Sequence, residues 1–365
     1  MKLPKTPIYQ YKQKTCDRNI KEFNTFLKNK IDVYYAIKAN NYEPLVKSMI
    51  EANYGFDVAS IEEIEYVLSL GADPSKISFS APTKLVRDIK QAAKYGIKQF
   101  AFDSIIEIDK IMKNVKDPIL IARITANNSD AAFNLSVKFG ITPEHYPEIL
   151  EKVYKDKIPL KGVTFHVGSQ NTSVTSWRSA LRGAQDFINL AQEYGINISL
   201  LNIGGGIPVQ YNGYVRHSKY YINKILQYIE RFRERNRNIE KIIIEPGRAL
   251  SANTTDLLVK VVNIKEYKNP PLLITDLSVF NGLIEPLEGF EYDIEALDDH
   301  KPRQKLKYYK VAGLSCDGCD IIKKKCLLPK SIKVGDYLRI KQAGAYTFVY
   351  KNFHMREFPK IVNIK

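Results

Sequence analysis

The chain has 365 residues, 44% of them hydrophobic and 11% aromatic, enough to bury a large core and, by length, to form roughly two domains. No run approaches the about 18 apolar residues of a membrane span and the start MKLPKTPIYQYK carries no signal-like apolar stretch, so no membrane partner is expected and the cytoplasm is the expected location. The 55 basic residues outnumber 40 acidic ones, giving +15, but the lysines are scattered, with no basic run longer than Lys323, Lys324 and Lys325; this predicts a solvated surface and no nucleic-acid partner.

In chain order, TPIYQYK reads as a short strand. Apolar runs rich in Val, Ile and Phe follow at residues 32–40, 54–60, 76–82, 98–104, 118–124, 160–169, 198–206 and 240–249. Segments of helical period lie between them, among them IEEIEYVLSLG, KLVRDIKQAAKYG, SWRSALRGAQDFINLAQEYG and YINKILQYIERFRERN, several closed by a helix-stopping Gly. Eight strands alternating with helices predict a closed (β/α)8 barrel of TIM type, with an open doubly wound sheet as the runner-up. After residue 252 the pattern changes to short strand-like runs separated by Pro and Gly turns. The expected division is therefore a barrel over 20–251 and a mainly β domain over 252–365, joined by residues 1–19.

In a barrel of this type the chemistry sits at the C-terminal ends of the strands. Those ends carry Lys38, Asp57, His166 with Ser169, Gly204 to Gly206, and Glu245 with Gly247 and Arg248. A lysine inside YYAIKAN is costly to bury charged, and desolvation is expected to lower its pKa towards a nucleophilic amine; the plain alternative is a side chain reaching past the strand end to water. The glycine triplet precedes a helix-forming stretch, so its amides can face a phosphate, and EPGRAL supplies a second Gly and an Arg on the next strand. Barrel phosphate sites favour the loops after the seventh and eighth strands, where these motifs fall. Of the four cysteines, Cys316, Cys319 and Cys326 have part of a zinc spacing, but a fourth ligand at matching spacing is missing, so no metal is expected; Cys16 stands apart, and reduced thiols are expected.

Taken together, YAIKAN, GFDVAS, FHVGSQ, GGG, EPGR, CDGCD and GAYT occur in the order found in the ornithine, lysine, arginine and diaminopimelate decarboxylases, the fold type III pyridoxal-phosphate enzymes, and the chain resembles their ornithine decarboxylase-like branch over nearly its whole length. The resemblance implies pyridoxal 5'-phosphate held on Lys38 as a Schiff base, His166 stacked on the ring, Glu245 at the pyridine nitrogen and Asp57 beside the lysine. It implies a phosphate cradle of Ser169, Gly205, Gly206, Gly247, Arg248 and Tyr346. Cys316 resembles the residue that protonates the product carbanion, and Asp317 a carboxylate for the substrate's far amino group. The family builds each site from two subunits, so a homodimer with shared active sites is expected.

The resemblance further implies decarboxylation of a small-molecule basic amino acid, ornithine, lysine or arginine, in polyamine biosynthesis. Asp317 after Cys316, where diaminopimelate enzymes usually carry Cys-Glu-Ser, favours a diamine-type substrate. A second carboxylate is expected in FNGLIEPLEGFEYD, where Glu285 is the first choice and Glu288 and Asp293 are alternatives; many relatives have Asp where Pro286 stands. Phe353 is expected as an aromatic wall of the substrate pocket, and Asn134 stands where ornithine enzymes often have Arg. The alternatives are a diaminopimelate or carboxynorspermidine-type decarboxylase and a non-catalytic regulatory homologue; a racemase needs Tyr where Cys316 stands.

Overall fold

A computed structural model describes residues 5–27, 30–126, 131–133, 138–211, 213–297 and 305–355, without the side chains of residues 352 and 353. The chain opens with β1 (Ile8–Tyr11) and α1 (Gln13–Leu27). Eight parallel strands then close into a barrel: β2 (Asp32–Ala36), β3 (Gly55–Val58), β4 (Ile77–Phe79), β5 (Gln99–Phe102), β6 (Ile119–Arg123), β8 (Leu160–Thr164), β10 (Leu200–Asn202) and β11 (Lys241–Ile244). A two-stranded ribbon, β7 (Ala131–Phe133) with β9 (Ser169–Asn171), lies beside them. Each barrel strand falls inside one of the eight apolar runs read from the sequence. The barrel is thus the closed form rather than the open sheet.

Both faces of these strands are covered, which is why they read as continuous apolar runs rather than alternating ones. Val33 and Tyr35, Leu120 and Ala122, and Ile242 and Ile244 join the large core under the helices. The alternate positions Tyr34, Ile121, Leu200 and Ile243 form their own cluster and fill the barrel interior. That interior is tight: a Cβ on Gly55 would stand 2.8 Å from the Tyr34 ring.

The helices supply their own stops and starts. Helix α3 (Ile61–Ser69), third after α2 (Glu43–Glu51), begins at Ser60, whose Oγ accepts the Glu63 amide at 3.1 Å, while Glu63 Oε2 accepts the Ala59 amide at 2.6 Å. This reciprocal capping occupies Ser60 and leaves Asp57 free of the helix start. Helix α1 crosses the boundary expected at residues 19 and 20: Cys16, Ile20, Phe23 and Leu27 all enter the barrel core.

Beyond the barrel, β12 (Thr255–Lys265), β13 (Leu272–Thr275), β14 (Ile294–Ala296), β15 (Leu306–Ala312), β16 (Ile321–Pro329) and β17 (Tyr337–Ile340) form a second sheet in the order β14-β17-β12-β13-β15-β16. Strand β1 pairs antiparallel with β12. The sheet has a core of its own around Leu257, Val259, Tyr292, Tyr309 and Leu338. Among the described residues no helix is long and apolar enough to cross a membrane.

Candidate active site

The first strand stops at Ala36, earlier than the run 32–40 suggests, and Ile37–Ala39 turn as a 3-10 helix. Two contacts hold this turn from the second sheet's side: Asn40 Nδ2 donates to Gly344 O at 2.7 Å, and the Tyr346 amide donates to Ala39 O at 2.8 Å. The turn carries Lys38 across to the neighbouring strand, where Nζ meets Asp57 Oδ2 at 2.7 Å.

Burial pushes the Lys38 ammonium down, as the sequence led us to expect, but Asp57, Tyr346 and Glu245 together more than offset it, and the group ends above its ordinary value. The depressed lysine is therefore corrected: a buried carboxylate stands beside the half-buried amine. Burial likewise pushes Asp57 up, and Lys38 more than reverses this, so the carboxyl lies below its usual range. Asp57 Oδ1 is buried with no hydrogen-bond partner among the described residues.

Glu245, just past β11, behaves in the opposite way. Burial and then the Asp57 charge push it up to about 7. His166, two residues past β8, is pushed down to about 3 by burial and by the Arg123 and Lys38 charges, so the ring is neutral. Its Nδ1 accepts the Gly168 amide at 2.9 Å, which places the ring proton on Nε2.

The glycine triplet lies against this cluster. A Cβ on Gly205 would collide with Glu245 O and stand 3.2 Å from His166 Nε2; one on Gly206, at φ +106, would stand 2.9 Å from Val167 Cγ2. Only glycine leaves this surface bare for a ligand. Arg248 Nε donates to Ser169 Oγ at 3.3 Å, its guanidinium lies 4.7 Å from the Tyr346 ring, and a Cβ on Gly247 would stand 3.4 Å from Tyr346 Oη. Tyr346 takes φ +53, a left-handed backbone that a tyrosine adopts at a cost of order 1 kcal/mol. The structure thus brings together Lys38, Asp57, His166, Ser169, Gly205, Gly206, Glu245, Gly247, Arg248 and Tyr346.

Other residues lie elsewhere. Cys316 and Asp317 are exposed on the loop between β15 and β16, and among the described residues no hydrogen bond or ion pair joins that loop to the Lys38 cluster. The loop is pinned by buried Asp320, whose Oδ1 accepts the Val279 amide at 2.8 Å and Oδ2 the Ser315 amide at 3.0 Å. Glu285 is not free for a distant ammonium: both its oxygens are engaged by Arg248, and Tyr292 Oη donates to Oε2 at 2.6 Å. Glu288 is exposed, and Asp293 faces Lys341 at 3.5 Å. Asn134 and the Phe353 side chain lie outside the described residues.

Three further side chains belong to the cluster and escaped the sequence reading. Asn202 Nδ2 donates to Glu245 Oε1 at 2.5 Å while its Oδ1 accepts the Gly204 amide at 2.9 Å. Ser80 Oγ lies 3.5 Å from the same Glu245 oxygen. Arg123, ending β6, has its charge felt by Glu245, Asp103 and Asp57. All three stand at or just beyond strand ends, so the rule that found Lys38 could have found them.

A half-buried amine against a buried carboxylate, a carboxyl able to hold a proton near neutrality, a neutral imidazole and a bare glycine cradle beside an arginine fit a phosphorylated aldehyde cofactor with a basic ring nitrogen. Residues 13–252 match the family described as "Pyridoxal-dependent decarboxylase, pyridoxal binding domain", and the chain belongs to that family of pyridoxal-phosphate-dependent amino-acid decarboxylases. It is similar to the lysine/ornithine decarboxylase of Selenomonas ruminantium (30% identity, 87% of this chain and 79% of the relative) and to the ornithine decarboxylase of Rattus norvegicus (31%, 87% and 72%). Among solved structures it resembles the agmatine-bound arginine decarboxylase of Paramecium bursaria Chlorella virus, with TM-score 0.88, 27% identity and coverage of 95% and 92%. Its class is thus the decarboxylases of basic amino acids, with pyridoxal phosphate as cofactor.

Proposed function

We propose that this enzyme converts ornithine or lysine to the corresponding diamine, in the cytoplasm, as a step in polyamine biosynthesis, and that it works as a two-fold homodimer. The observation that carries the substrate reading is Asp317 beside Cys316 on an exposed, pinned loop: a carboxylate there can receive a distal ammonium through a charge-assisted hydrogen bond. The curated relatives at 30–31% identity, a lysine/ornithine and an ornithine decarboxylase, support it.

Bound pyridoxal phosphate supplies the electron sink for the pair left when carbon dioxide departs. Lys38 would hold the cofactor through its amine, with Asp57 keeping that amine in place. Glu245 would keep a proton at the ring nitrogen, which strengthens the sink, and neutral His166 would offer a flat, uncharged face to the ring. Ser169, Gly205, Gly206, Gly247, Arg248 and Tyr346 would receive the phosphate. Cys316, brought by the second subunit, delivers a proton to the substrate carbon that has lost its carboxylate, and Asp317 beside it orients the substrate from its far end. The test is an amine-product assay with ornithine, lysine, arginine and diaminopimelate on holoenzyme whose visible band is abolished by borohydride. Turnover of arginine alone, of diaminopimelate alone, or of none of the four would overturn the reading.

A further inference from the structure

We infer that Glu285 is a positioning residue for the cofactor's phosphate site and not the carboxylate that receives the substrate's distal ammonium. The inference rests on reading Arg248 as a phosphate ligand. Arg248 and Glu285 are both buried, their side chains 3% exposed each, and they meet fork to fork: Nη1 donates to Oε2 at 3.1 Å, and Nη2 donates to Oε1. Tyr292 Oη donates to Oε2 as well. A substrate ammonium could capture Glu285 only by stripping a buried arginine of its counter-ion, the change that buried pairs tolerate least.

The pair also decides where the arginine faces. A guanidinium has five N–H donors in a rigid plane. Here Nε turns to Ser169, Nη1 is shared between Tyr211 Oη at 3.3 Å and Glu285, and Nη2 meets Glu285. The plane is boxed by four rings, Phe133 at 5.6 Å, Tyr211 at 5.7 Å, Phe290 at 4.9 Å and Tyr346 at 4.7 Å from Cζ. Glu285 is held in turn by the second sheet's core, since Tyr292 is fully buried and its carbonyl accepts Lys323 Nζ at 2.8 Å. Lys323, Tyr292, Glu285, Arg248 and Ser169 therefore form one continuous chain of contacts from the second sheet to the phosphate cradle.

The test compares holoenzyme variants E285Q, E285D, R248A and R248A/E285Q, each checked for folding by circular dichroism and melting. Cofactor affinity is measured by retitration with pyridoxal phosphate after stripping, and KM and kcat at saturating cofactor. E285Q is expected to weaken cofactor binding by about tenfold or more while leaving the substrate KM within about twofold. E285D should recover part of the loss, and the double variant should bind no more weakly than R248A, because Glu285 acts through Arg248. If E285Q fails to fold, E285D carries the same comparison. An unchanged cofactor affinity with a KM raised about tenfold returns Glu285 to the substrate and overturns the inference. Unchanged affinity in R248A instead removes the phosphate role of the arginine itself, a distinct failure.

Discussion

Lys38 Nζ stands 2.7 Å from Asp57 Oδ2, and Asp57 is itself 1% exposed, so a half-buried amine and the buried charge that holds it meet at adjoining strand ends. Lys38→Ala is therefore expected to fold and keep the cradle but to lose the covalent link: borohydride followed by peptide mapping should find no cofactor adduct. An adduct on another lysine would displace Lys38 from its role. Asp57→Asn removes the largest of the charges that oppose burial, so the Lys38 amine should titrate lower, and rapid-mixing measurements should show stripped enzyme rebinding cofactor faster at neutral pH than wild type. An unaltered pH dependence of that rate would deny Asp57 control of the amine.

Glu245 gives a pH signature in the cofactor-free protein. Its folded pKa, about 7, lies above the ordinary 4.5 because of burial and then the Asp57 charge. A carboxyl raised in this way holds its proton more tightly folded than unfolded, so its stabilising contribution is present below about 4.5 and is lost as pH climbs through about 7. Glu245→Gln should remove that loss. Its melting temperature should exceed that of wild type at pH 8, with the gap, worth about 3 kcal/mol at most, closing as pH falls towards 5. In the holoenzyme the same variant should lose most of kcat, since the amide cannot keep the ring nitrogen charged. A pH-independent gap would place the cause elsewhere.

Asn202 bridges the Gly204 amide and Glu245 with a single side chain. Asn202→Ala should weaken both anchors at once, costing about 2–3 kcal/mol for a charged partner and a buried amide left without a mate. Cofactor titration should show weaker binding together with lower kcat. A loss of one without the other would mean that the two bonds act independently.

Cys316 and Lys38 are expected to come from different copies at each working site. Lys38→Ala and Cys316→Ala proteins, each nearly inactive, should then complement when mixed under exchange conditions. Half of the dimers are mixed under random exchange, and each has one intact site, so recovered activity should approach roughly a quarter of wild type. Verified exchange with no recovered activity would put both residues in one subunit.

Much of this molecule was legible in its sequence because parallel strands covered on both faces declare themselves as unbroken apolar runs. Polar residues closing such runs, Lys38, Asp57, His166 and Glu245, do converge. Arg123 and Asn202 close two of the same runs, in ILIAR and LLN, and could have been read by the same logic. What the sequence could not show was partnership. Arg248 and Glu285 are 37 positions apart, and no local pattern says that one will seize both oxygens of the other. The ribbon Ala131–Phe133 with Ser169–Asn171 was missed because AAF and SQN are too short and too weakly apolar to stand out as runs of their own. Asp57 beside Lys38 was implied by the family resemblance, but not its effect on the amine: burial predicts the direction of a pKa only until the neighbours' charges are weighed.

The pairing of Ile8–Tyr11 with Thr255–Leu258 has a bearing on how the chain is made. Synthesis runs from the amino end, so the earliest strand emerges long before its mate exists, and every barrel strand is translated in the interval. Its edge must wait unpaired, the situation in which strands recruit wrong neighbours. Closing so large a loop is also slow, since contacts remote in sequence form late. The second sheet can therefore be finished only after the barrel's polypeptide is complete, and the bonds between its first strand and β12 span the whole barrel segment of the chain.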